Sequence, residues 1–222
     1  MASVIWTFWT GTNPLTDARK RNLEALKKIS GVPVVVVTPE NLSSYIKPEA
    51  PFHPGYEYLS LTGRSDYLRA YFMYHYGGGY SDIKRPLGSW KIAFLKLEES
   101  PSIWMVGTRE KHPEDIGYQE DKELYENIKR VYMSMPQNGA YIGRKGCPLF
   151  KEILEEVHIC LDTHLEALKS VHNCPIRARA GDGSGYPLRW TEVGGSIVHK
   201  VAYKYRDTIA FALPGFSTAD YI

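Results

Sequence analysis

The sequence has no apolar run approaching the roughly 20 residues needed to cross a bilayer. Its apolar opening, MASVIWTFW, lacks the charged lead and cleavage site of a secretory signal. Three cysteines, Cys147, Cys160 and Cys174, form neither a CxxC pair nor an even framework, so they read as free thiols in a reducing compartment. These absences predict a soluble, cytoplasmic chain, or a soluble piece of something larger. Charge of one sign is missing too: 27 Lys and Arg against 25 Asp and Glu leave a net charge of +2. No nucleic-acid partner is expected, because such a partner draws basic side chains into a patch. The basic runs are KRP at 84–86 and ARKR at 18–21, and the second reads as a solvated helix face. Histidines 158, 164 and 172 lie along a helical region without HExxH spacing, so no zinc site is expected there. There is no internal repeat, and GTNPLT after the first apolar run is not the GxGxxG of a dinucleotide fold.

What is present is aromatic. Tyrosine occurs 16 times, and a ring with a polar tip suits the lining of a polar cleft. Residues 3–9, SVIWTFW, read as a buried strand ending in a turn, and Leu15, Ala18, Leu23, Leu26 and Ile29 recur at helical spacing up to Gly31. PVVVVT at 33–38 is a continuous apolar run, the sign of a strand covered on both faces. Strand, helix, strand opens a parallel α/β sheet. A second helix is expected from an N-cap at Ser65 to about Tyr76, then a strand end at 80–83, a strand at 102–108, a helix at 120–133 and a strand at 140–143. A long helix over 148–171, a last helix from 193 and a strand at 208–213 complete the chain, and 222 residues suit one domain. The glycine-rich AGDGSGYP at 180–187 reads as a mobile loop within that domain rather than a linker.

The stretch YHYGGGYSDIKRP at 74–86 carries the chemistry. A helix C-cap accounts for one of its glycines and leaves two without a reason. The glycines follow a helix and precede a strand, and no GK[ST] comes after them, so neither a dinucleotide fingerprint nor a Walker loop applies. Period-two geometry puts Asp82 and Lys84 on one face of the strand end. Asp66 and Arg69, three apart on a helix, are open to two readings: an ordinary surface ion pair, or part of a site.

RSDYLRAYFMYHYGGGYSDIK, residues 64–84, resembles the sugar-nucleotide-binding region of glycosyltransferases of the DXD sugar-binding type. That group includes yeast-type mannosyltransferases, clostridial glucosylating toxins and capsular-polysaccharide synthesis proteins of bacteria, with similar domains in large DNA viruses. The likeness extends more weakly to IWTFW and to PQNGAYIGRKGCPLF at 136–150, about two thirds of the chain. It implies a GT-A fold, a Rossmann-like, mixed but mostly parallel sheet flanked by helices. It also implies transfer of a hexose from a nucleoside-diphosphate sugar, UDP-linked by preference, to a glycan or glycoprotein hydroxyl with retention of configuration.

By residue, the resemblance gives Asp82 the first aspartate position, holding a divalent Mn²⁺ or Mg²⁺, and gives Asp66 and Arg69 the donor sugar and diphosphate. Arg64, Ser65, Tyr80, Ser81 and Asn138 fall in the matching segments, and Trp6, Thr7, Phe8 and Trp9 end the first strand, where the base of such a donor is received. The sequence departs from the pattern at Lys84, which stands at the second aspartate position. A protonated lysine does not ligate a metal and repels one nearby. Either Asp82 holds the cation with the phosphates, water and a ligand from elsewhere, such as Glu192 or His199, or Lys84 with Arg85 partly replaces it. A domain that binds the donor without turnover, or a structural α/β module, are the competing expectations.

Overall fold

The computed structural model describes residues 3–171 and 174–217, so His172 and the terminal ADYI lie outside the described residues. Six strands, β1 (Ile5–Phe8), β2 (Val34–Val37), β3 (Gly78–Ser81), β4 (Met105–Arg109), β5 (Pro136–Gly143) and β6 (Ile209–Phe211), form one sheet in the order β2-β1-β3-β5-β4-β6. β5 runs antiparallel to both of its neighbours and the other pairings are parallel. The helices are α1 (Asp17–Ile29), α2 (Leu61–His75), α3 (Lys91–Glu99), α4 (Lys122–Arg130), α5 (Pro148–Lys169) and α6 (Gly195–Lys204). This is the expected mixed, mostly parallel α/β architecture.

The sheet separates two apolar layers because successive side chains point to opposite faces. Trp6, Phe8, Tyr80 and Tyr141 pack on one side with Phe72 of α2, Phe150 of α5 and Val198 of α6. Ile5, Ala140 and Ile142 pack on the other with Leu26 of α1 and with Phe94 and Leu97 of α3. Withdrawing a side chain such as Phe72 or Phe150 from water contributes about 1.5–3 kcal/mol each. The chain passes from β1 out to β2 and returns through α2 to β3 on the far side of β1. The strand order therefore reverses between β1 and β3, and the crevice beyond their carboxyl ends is where such sheets bind ligands.

Four local expectations are corrected. β2 is an edge strand rather than one covered on both faces: Val34, Val35 and Val36 are half-buried and Val37 alone is fully buried. α2 starts a turn earlier than Ser65, because Ser60 caps it by accepting from Gly63 N, while the Ser60 N–H donates to the Tyr186 hydroxyl at 3.1 Å, a contact distant in sequence. α3 was not expected, since Ile92 and Leu95 are exposed while Ala93, Phe94 and Leu97 are buried, which blurs the helical stripe. β5 begins four residues before 140, at Pro136. The 180–187 segment is an irregular loop with Gly181, Gly183 and Gly185 at positive φ.

Candidate functional site

The three glycines have separate reasons. Gly77 and Gly78, at φ 65° and 87°, take left-handed backbone that other residues adopt at a cost, and the Gly77 N–H closes α2 on the carbonyls of Phe72 and Met73. At Gly79 the constraint is space, since a Cβ there would lie 2.9 Å from the buried Trp90 ring. The turn that follows β3 is fixed from three directions. The Asp82 N–H donates to the Gly139 carbonyl of β5 at 2.8 Å, the Lys84 N–H to the Asp82 carbonyl at 2.7 Å, and the Arg19 guanidinium of α1 to the Ile83 carbonyl at 3.0 Å.

Around that turn the structure gathers a charged network. Lys84 Nζ lies 2.9 Å from Asp82 Oδ2, and the Tyr80 hydroxyl donates to Asp82 Oδ1 at 2.6 Å. Arg69, buried, reaches Asp66 Oδ1 at 3.1 Å and Asp82 Oδ1 at 3.7 Å, donates to the Tyr80 hydroxyl at 3.0 Å and to the Asn138 carbonyl, and lies over the Tyr80 ring at 4.2 Å. Asp66 and Arg69 are thus a largely buried pair, with side chains 11% and 8% exposed, not a surface one. Ser65 hydrogen-bonds Tyr80, Ser81 is buried with its hydroxyl on the Asp82 carbonyl, and Asn138 Nδ2 approaches Asp66 Oδ1 at 3.5 Å. Asn138 Oδ1 is buried with no hydrogen-bond partner among the described residues.

The two carboxyls are driven apart. Burial pushes Asp82 up, but Lys84, Arg69 and the Tyr80 hydroxyl outweigh it and hold the group below the usual carboxylate range. Burial also dominates at Asp66, and there the Asp82 charge adds to it, so this carboxyl sits above its ordinary value despite Arg69. Arg69 stays protonated: burial opposes the charge, yet Tyr80, Asp66, Tyr141 and Asp82 more than compensate.

Beyond the carboxyl ends of β1 and β2 lies a cavity of about 140 Å³ lined by Trp9, Thr10, Val37, Thr38, Pro39, Leu42, Tyr56, Arg64 and Leu68. Of the four residues ending the first strand, Trp9 alone reaches it. Trp6 is core, its indole N–H on the Gly77 carbonyl and its ring edge-on to Phe72, and Thr7 is fully buried. Phe8 stacks on Tyr80 at 5.4 Å and so supports the ring whose hydroxyl holds Asp82. Arg64 and Leu68 on α2 face this cavity, whereas Ser65 and Arg69 turn toward Tyr80. One helix therefore serves both halves of the crevice.

The fold is shared with a solved glycosyltransferase. A structure described as PaToxG glycosyltransferase superposes with a TM-score of 0.50 at 12% sequence identity, over 91% of this chain and 69% of that one. At that identity the likeness is one of fold. No protein-family model and no curated protein sequence matches the chain.

The donor set at Asp82 does not suit a hard divalent cation, which needs several oxygen ligands. Both Asp82 oxygens already face Tyr80, Arg69 and Lys84, and Asp66 faces Arg69 and Asn138. Arg69 and Lys84 lie against the two carboxylates, and their charges oppose a further cation there. Glu192 pairs instead with His164, and buried His199 with Glu110, the Pro136 carbonyl and the Gly117 N–H. Among the described residues, the three-ligand cluster of His, Cys, Asp and Glu side chains is Cys160, His164 and Glu192, not one that includes Asp82.

Sequence reasoning missed Thr10, Thr38, Leu42 and Tyr56 of the cavity, although the rule that places ligands at strand carboxyl ends pointed to the residues just past β1 and β2. It placed Gly139 and Gly194 in segments that the resemblance brings to the site, 136–150 and 189–201, but not their contacts with the two aspartates. A Cβ at Gly139 would lie 3.2 Å from Asp82 Oδ2, and one at Gly194 would lie 2.7 Å from Asp66 Cγ. Nothing local in the sequence marks these approaches, which arise between distant segments.

Proposed function

We propose that the protein transfers a hexose from a nucleoside-diphosphate sugar to a hydroxyl of a glycan or glycoprotein, with fixed side-chain cations in the place of a metal. The observation that carries this reading is the Lys84–Asp82 pair at 2.9 Å, past the carboxyl end of β3 and beside the crevice where the strand order reverses. The glycosyltransferase fold supports it.

In this reading the base enters the cavity at Trp9, with Thr10, Thr38 and Arg64 at its wall. Asp66 and Asn138 receive the sugar: Asp66 accepts from hydroxyls, and Asn138 Oδ1 offers an acceptor with no other partner among the described residues. Lys84 and exposed Arg85 meet the diphosphate, whose negative charge grows as the glycosidic bond to phosphate breaks, so a cation fixed beforehand favours the transition state over the bound donor. Asp82 holds Lys84 in place, and Arg69, buried beneath, positions Asp66, Tyr80 and Asn138 rather than touching the donor. UDP is the favoured nucleotide and retention the favoured outcome on the resemblance of residues 64–84, and a retaining transfer of this kind requires no protein base.

The test is thermal stability against UDP-, GDP-, dTDP- and CMP-sugars, each with Mn²⁺ and with EDTA, followed by nucleotide release for any sugar that binds. A donor at about a hundred times its Kd adds about 2.7 kcal/mol of stability. A shift with one nucleotide, equal in EDTA, together with release of that nucleotide, is expected. A shift without release would make the domain a binding module, and no shift with any nucleotide would overturn the reading.

A further inference from the structure

On the side of α5 that meets the loop before α6, Cys160, His164 and Glu192 bring one ligand atom each to within 4.8 Å of one another. Cys160 and His164 are four apart and share a helix face. Glu192 comes from the 189–194 turn, where its Oε2 accepts from the Arg189 N–H at 2.7 Å and its Oε1 lies 3.3 Å from His164 Nε2. That separation is already close to the ~3.4 Å edge of a tetrahedron with metal–ligand bonds of ~2.1 Å. All three side chains are half-buried, so the position is screened yet reachable.

We infer that Cys160, His164 and Glu192 bind a zinc-type divalent cation, with water in the fourth position. Thiolate, imidazole and carboxylate together select zinc over hard cations such as Mg²⁺ and Ca²⁺. Their summed charge of −2, once the thiol has lost its proton, neutralises the ion. Binding therefore releases that proton to solvent, against the burial that, ahead of the Glu192 and Glu156 charges, pushes the free thiol up to about 12. The absence of HExxH spacing does not bear on this site, because its third ligand is supplied by a segment 28 residues further along the chain (192 − 164).

The ion would act as a clamp. Glu192 stands two residues before Gly194, the glycine packed against Asp66, in a segment that follows three glycines at positive φ. Tying Glu192 to α5 fixes the backbone that covers the Asp66 side of the crevice, in a loop with little regular structure of its own. This assignment is independent of the donor reading.

Cobalt titration of the whole chain tests it. One equivalent of Co²⁺ is expected to give a thiolate-to-cobalt charge-transfer band and tetrahedral d–d absorption, both displaced by Zn²⁺, and Zn²⁺ is expected to raise the Tm. Cys160→Ser should remove the band, Cys174→Ser should keep it, and His164→Gln and Glu192→Gln should each weaken Zn²⁺ binding by more than about tenfold, judging from the 10–100-fold cost of losing even an outer partner. Should Cys160→Ser fail to fold by circular dichroism, the His164→Gln and Glu192→Gln affinities decide. No charge-transfer band in the wild type, a band that survives Cys160→Ser, or unchanged affinity in both the His164 and Glu192 variants would overturn the assignment.

Discussion

Lys84 Nζ and Asp82 Oδ2 lie 2.9 Å apart above the Gly139 backbone, to which Asp82 is also bound through its own N–H. A lysine held this way is a preorganised cation: its geometry is set before any ligand arrives, so it costs no reorganisation when charge develops nearby.

Lys84→Met should leave the fold intact, because the side chain is partly exposed, and should slow donor turnover by about 10²–10³, the usual effect of removing one donor aimed at developing negative charge. Nucleotide release, with far-UV circular dichroism as the control, measures both. If Lys84 acted purely on affinity, Lys84→Met would instead raise KM at unchanged kcat.

Arg69→Ala should cost about 3–5 kcal/mol in urea unfolding, since it removes the cation paired with largely buried Asp66 and one of the two beside Asp82. Lysine should not rescue it, because a single ammonium does not reach Asp66, Tyr80 and the Asn138 carbonyl together. An Arg69→Ala protein as stable as wild type would remove the positioning role.

The two aspartates make opposite predictions for pH. Asp82 lies below the unfolded value of about 3.9, so its stabilisation is present above that value and is lost as pH falls through the lower folded value. Asp66 lies above about 3.9, so what it contributes is complete below that value and is lost as pH rises through its folded value. Asp66→Asn, which mimics the protonated form, should therefore raise the Tm at neutral pH while weakening donor binding. A lower Tm for Asp66→Asn across the neutral range would show that the ionised carboxylate stabilises the fold instead.

Gly194→Ala should reduce donor binding, because a methyl group there would lie 2.7 Å from Asp66 Cγ and 2.9 Å from Asn138 Nδ2, and something must move. Calorimetric titration with the responding nucleotide sugar checks this. Gly181→Ala, whose Cβ meets nothing within 4 Å, serves as the loop control for glycine replacement, since its strain is in the backbone alone.

Much of this arrangement was legible from one sequence because the signals were local. The helix before the glycines and a strand after it follow from spacing, although β3 takes in Gly78 and Gly79 rather than starting at Tyr80, and Asp66, Arg69 and Asp82 come together because α2 and β3 are adjacent in the chain. The contacts that escaped are those made across it. Ser60 caps α2 with help from Tyr186, Gly194 abuts Asp66, and β5 presents Gly139 beneath Lys84. The first-strand aromatics illustrate the limit of alternation: it separates Trp6 and Phe8 from Thr7 and Trp9, but only the cavity formed with Val37, Thr38 and Tyr56 singles out Trp9. Lys84 itself was visible as a departure, while the balance of two carboxylates by two cations needed the buried geometry of Arg69.

The most direct test of the central claim is nucleotide release from the sugar donor that shifts the Tm, measured for wild type and Lys84→Met in EDTA and in Mn²⁺. A fixed cation predicts wild-type turnover in EDTA that Mn²⁺ does not raise, lost in Lys84→Met. Turnover by the wild type that appears only with Mn²⁺, or survives intact in Lys84→Met, would contradict it.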